Sequence, residues 1–174
     1  MKKLALLLLV LTGVSSFSFI QETLQIIVPG KGIEGYVTVD LTTKREVIVK
    51  FGNGFTEVKN YIGEGKNKKL YSTKQVYKKQ GISFYYRPSS GDTVFCVHIA
   101  APYKAKTDKG IVPGTSTMQE VWDAYGEAEW YTTGETMSLE YPGISFYIDG
   151  KGWSSTEALE KKVKTISVKG FDPQ

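Results

Sequence analysis

Apolar positions recur along this chain with two periods, and each pattern is written twice. Met118, Val121, Trp122 and Tyr125 fall at i, i+3, i+4 and i+7, the single apolar stripe of a short helix. Val47, Ile48 and Phe51 repeat that stripe in the first half. A threonine stands just ahead of each stripe with a glutamate three residues on, Thr43 with Glu46 and Thr117 with Glu120. The spacing predicts a capping box, in which the threonine side chain accepts from the N3 amide and the glutamate reaches back to the cap amide. Gly52 and Gly126 stand where such helices would stop in the left-handed conformation. The β-branched residues around Val47 make the first helix intrinsically weak, so packing has to hold it.

The second period is two. The pentapeptide Gly-Ile-Ser-Phe-Tyr occurs at Gly81–Tyr85 and again at Gly143–Tyr147. In the first copy Ile82, Phe84 and Tyr86 share one face and Ser83 and Tyr85 the other. In the second, Ile144, Phe146 and Ile148 oppose Ser145 and Tyr147. Downstream, Thr93–Ala100 aligns with Lys162–Lys169, and Val97 and Ile99 face the same way as Ile166 and Val168. Upstream, Leu41–Gly52 aligns with Thr115–Gly126. Glu129–Thr132 and Lys69–Val76 are the best candidates for further strands, and differences in spacing fall in loops. The pattern predicts an α+β fold: a tandem repeat of a helix followed by antiparallel strands, with the helices on one face of the sheet. One continuous sheet and two four-stranded sheets fit equally well. The expected units are 19–105 and 106–174, joined through Pro102–Lys109.

Compartment comes from the first residues. Lys2 and Lys3 precede the apolar run Leu4–Leu11, and the small residues Ser15 and Ser16 follow. These are the charged, apolar and polar regions of a secretory signal peptide, expected over 1–18 with cleavage near Ser18. The run is too short to cross a bilayer, so no transmembrane segment is expected in the mature chain. The chain would be exported to the periplasm, the cell surface or the medium. Removing Lys2 and Lys3 from 22 basic residues leaves 20 against 18 acidic ones. That balance gives no reason to expect nucleic acid as a partner. Cys96 is the only cysteine, which excludes an internal disulfide and leaves no residue near Ser18 to carry a lipid.

The stretch Gly110–Gly126, with its Gly-Ile entry, Thr117 cap, Glu120-Val121 and closing glycine, resembles a recurring envelope-protein unit. It is similar to the helix opening of the β-lactamase-inhibitor-protein-like repeat, shared by the small SmpA/OmlA-type (BamE-like) outer-membrane assembly lipoproteins. The resemblance implies helices covering one sheet face and an open face, or its loops, gripping a protein partner. The chain departs from the lipoproteins in having no anchoring cysteine, and the resemblance assigns no residue a role.

Cys96 and His98 are two apart in a strand and therefore share a face. Such a pair can make a thiolate nucleophile or half of a metal site, so a small secreted enzyme is the alternative reading. Zinc would need two further ligands, and the chain holds no other cysteine or histidine. The leading reading is non-enzymatic, with no cofactor. The side of the strands away from the helices would carry Ser83, Tyr85, Cys96, His98, Ser145, Tyr147, Thr165 and Ser167. Polar residues among rigid aromatics suit recognition of a protein or an envelope polymer. Lys66, Lys68, Lys69, Lys74, Lys78 and Lys79 crowd one segment, which fits a solvated loop and a lysine-guarded edge strand, or contact with anionic lipid. Trp122 belongs to the helix stripe, and Trp130 and Trp153 read as partly buried anchors. Gly30–Gly35 and Gly110–Gly114 match no phosphate-cradling loop.

Overall fold

A computed structural model describes residues 24–170. The expected signal peptide, with its cleavage point near Ser18, lies outside the described residues. In chain order the elements are β1 (Gln25–Val28), β2 (Gly32–Ile33), β3 (Val37–Thr38), α1 (Lys44–Phe51), β4 (Thr56–Ile62), β5 (Lys69–Tyr77), β6 (Ile82–Tyr86) and β7 (Val94–Ala100). There follow β8 (Ala105–Thr107), α2 (Met118–Tyr125), β9 (Trp130–Thr133), β10 (Thr136–Tyr141), β11 (Ile144–Asp149), α3 (Ser155–Leu159) and β12 (Thr165–Lys169). Among the described residues no helix is long and apolar enough to cross a membrane.

The expected α+β class is corrected by this inventory. The described residues are mostly β, with α-helices of eight, eight and five residues, and they are not a helix-plus-strand unit written twice. Three features break the expected scheme. Segments 56–62 and 136–141, which the alternation left unassigned, are strands. Helix α3 falls between β11 and β12, where the corresponding β6–β7 connection holds only a three-residue 3-10 turn, Pro88–Ser90. The stretch 25–38 builds a small second sheet in the order β3-β2-β1-β8, taking β8 from the expected linker and pairing it parallel to β1.

The main sheet is continuous, with eight antiparallel strands in the order β4-β5-β6-β7-β12-β11-β10-β9. Its centre is the seam between β7 and β12, where Val97 opposes Val168 and His98 opposes Ser167. Paired residues point to the same side, so the register sorts the side chains into rows. One row, Ile82–Ile99–Ile166–Phe146–Leu139, is buried throughout and forms the middle of the core. Helices α1 and α2 close that side: the Phe51 ring lies 4.9 Å from Phe84, and Tyr125 lies 5.0 Å from Phe146.

Both helices begin with the complete capping box at Thr43/Glu46 and Thr117/Glu120, and α3 carries a third at Ser154/Glu157. At the C-terminal ends Gly52 and Gly126 do adopt positive φ, 82° and 92°, but with extended ψ and not the left-handed helical geometry expected. Two bulges interrupt the regular ladder of the main sheet. One shifts the β4–β5 register between Asn60 and Tyr61; the other lies between Tyr85 and Tyr86 and leaves Phe95 of β7 without an opposite residue.

Candidate functional site

Alternation along β6, β7, β11 and β12 turns every second side chain away from α1 and α2. The register gathers all eight residues expected on that side. Ser83, His98, Ser167 and Ser145 form one row across four strands. Tyr85 sits opposite Cys96, and Tyr147 opposite Thr165. They are not equally accessible. Ser83, Cys96, Ser145 and Ser167 are buried between their larger neighbours, whereas Tyr85, His98, Tyr147 and Thr165 are partly exposed.

These residues form a connected network. The Tyr85 hydroxyl and His98 Nδ1 are hydrogen-bonded at 3.1 Å, with ring centroids 4.6 Å apart, and the Tyr147 ring flanks His98 on its other side at 6.1 Å. Cys96 Sγ lies 3.3 Å from the Ser167 hydroxyl. Cysteine and histidine therefore bond to different partners. Burial pushes the Cys96 thiol above its ordinary range, and burial, with the Lys74 charge behind it, lowers His98 to about 4. At neutral pH the thiol is protonated and the imidazole uncharged, the opposite of an activated thiolate–imidazolium pair. Burial also raises the Tyr85 and Tyr147 hydroxyls, which remain protonated donors.

A cleft of 390 Å³ opens on this face. Tyr85, Cys96, His98, Tyr147 and Ser167 line it, joined by Asn60, Tyr71, Ser72, Phe95 and Lys169, which sequence reasoning missed. Ser72 continues the alternation of β5 and could have been found that way. Asn60 lies in an exposed strand with no apolar alternation, while Tyr71 and Phe95 reach the cleft because bulges break the simple count. Ser83 and Thr165 line a neighbouring hollow of 230 Å³, which shares His98 and includes Lys74.

Cations rest on the aromatic surfaces. Lys74 Nζ is 5.0 Å from the Tyr85 ring centroid, and the Arg87 guanidinium is 4.3 Å from Phe95 and 5.9 Å from Tyr71. Of the lysine-rich segment, Lys74 turns into this face, and Lys78 borders the smaller hollow beside it. Lys66, Lys68 and Lys69 stand exposed around the β4–β5 turn, and Lys78 and Lys79 are exposed beyond β5. Trp122 and Trp130 pack against the core, and Trp153, 37% exposed, hydrogen-bonds to the Asp149 carbonyl beneath the Lys161 ammonium. No three of His, Cys, Asp and Glu converge as metal ligands among the described residues. Comparison with protein-family models, with characterised proteins and with solved structures finds no match to this chain.

Proposed function

We propose that this is an exported, non-enzymatic binding protein that holds a protein partner on the sheet face opposite α1 and α2. The observation that carries the reading is the cleft itself. Tyr71, Tyr85, Tyr147 and His98 border a 390 Å³ depression on the face of the main sheet opposite α1 and α2, which no helix among the described residues covers. Tyrosine brings large contact area at low entropic cost, and its hydroxyl pairs with backbone or side-chain groups. The likeness of Gly110–Gly126 to the β-lactamase-inhibitor-protein-like repeat points to a protein partner too, since there the open face or its loops grip one. The protonated, Ser167-bonded thiol of Cys96 favours binding over thiol catalysis.

The test is site-specific photo-cross-linking in envelope extract. A benzophenone amino acid replaces Tyr71 or Tyr147 in the cleft, or Val49, which is 79% exposed on α1. Discrete, protease-sensitive adducts from both cleft positions and none from Val49 support the reading. Protease-resistant adducts would make the partner a polymer, and identical adducts from all three positions, or none from the cleft, would refute it.

A further inference from the structure

We infer that the cleft takes an acidic peptide segment, an extended stretch of a protein whose aspartate or glutamate carboxylate lies over Tyr85 and Cys96, between Lys74 and Lys169. The inference rests on the binding role proposed for this face and names its ligand chemistry.

Three observations converge on it. Lys74, Tyr85, Cys96 and Lys169 occupy one row across β5, β6, β7 and β12. With neighbouring strands about 4.8 Å apart, the two lysine backbones stand about 14 Å apart, room for one extended chain between them. Arg87, stacked on Phe95, adds a third cation, and Cys96 lies in the field of all three. Lys169 has the Glu140 carboxylate 3.8 Å away, a loose contact between two half-exposed side chains. Lys74 has no carboxylate within ion-pair distance among the described residues; its ammonium rests on the Tyr85 ring.

Burial lowers the pKa of Lys74, the signature of an ammonium that has lost water without gaining a counter-ion. A carboxylate arriving there meets a cation that folding has already stripped of part of its water, which makes the pairing more favourable than one between two fully hydrated ions. The aromatic floor supplies contact for the rest of the peptide, and the Asn60 and Ser72 side chains supply polar groups at its margin.

His98 is the only histidine, so its ring signals report on the cleft without ambiguity in NMR. The probes are acetyl-Gly-Tyr-Glu-Glu-Tyr-Gly-amide, the same peptide with Gln for Glu, and inorganic phosphate. The glutamate peptide should shift the His98 signals saturably and bind about tenfold more tightly than its glutamine twin. Lys74→Gln should remove that preference, Lys74→Arg should keep it, and Lys79→Gln, which alters only an exposed charge, should leave it unchanged. A native amide spectrum for each variant certifies its fold. Equal responses to the two peptides would overturn the acidic specificity while leaving the face a binding surface. Phosphate acting as strongly as the glutamate peptide would overturn the peptide class. A silent His98 with both peptides would also overturn the inference, and the cross-linking would then decide the binding role separately.

Discussion

The Tyr85 hydroxyl meets His98 Nδ1 at 3.1 Å on the sheet face, and burial keeps that imidazole uncharged down to about pH 4. Between that value and the ordinary 6.5, the unfolded chain binds a proton that the folded chain does not. Stability from this source is therefore complete above about pH 6.5 and is lost progressively as pH falls towards 4. The loss should reach ~2 kcal/mol, after allowing for partial exposure of the ring. Thermal unfolding followed from pH 7 to pH 4 checks this against His98→Gln, whose profile should be flatter. Parallel profiles for the two proteins would show that His98 contributes nothing.

Cys96 is buried, bonded to Ser167 and raised in pKa. In the native protein it should react with a disulfide reagent about a hundredfold more slowly than in urea, because labelling waits for an opening of the sheet. Rapid labelling at neutral pH would contradict the protonated, enclosed thiol and revive a nucleophilic role.

The capping boxes at Thr43 and Thr117 each satisfy two amides at the start of an eight-residue helix. Thr43→Ala and Thr117→Ala should each cost ~1 kcal/mol, read as a lowered urea midpoint at unchanged slope, and serine at either position should recover most of it.

Gly81 and Gly126 both have positive φ, 73° and 92°, but different surroundings. A Cβ on Gly81 would stand 2.4 Å from the Ala100 carbonyl oxygen, whereas on Gly126 it would meet nothing within 4 Å. Gly126→Ala should lose ~1 kcal/mol from backbone strain alone. Gly81→Ala should lose at least ~2 kcal/mol, since the backbone at the end of β7, from Ala100 to Pro102, must also move. Equal costs in denaturant titration would remove the distinction.

Face assignment was legible because it is local. Ile82 opposes Ile99 and Ile144 opposes Val168, all four buried, as simple alternation in Gly81–Tyr85 and Gly143–Tyr147 requires. The same count put Tyr85, His98 and Tyr147 together on the opposite side. It failed where a strand had no buried side to announce it. Six of the seven residues of β4 are exposed, so its pairing with β5 leaves no apolar trace. It failed again at Phe95, where a bulge adds one residue to the count. The capping boxes located α1 and α2 correctly but said nothing of their length. Two-turn helices were given the weight of a fold class, while the β1–β8 pairing, which depends on residues far apart in the chain, had no local signal at all.

The β7–β12 seam also governs how a nascent chain can reach this structure. Cys96 and its partner Ser167 are 71 residues apart, and Tyr103 and its partner Gln25 are 78 apart. Strands β4 to β7 are therefore synthesised, and free to pair, well before β12 exists. During that interval β7 waits with a bare row of amides and carbonyls. A waiting edge of this kind accepts the matching strand of another copy as readily as its own. Crowded synthesis of this protein carries a built-in hazard of strand exchange at its very centre.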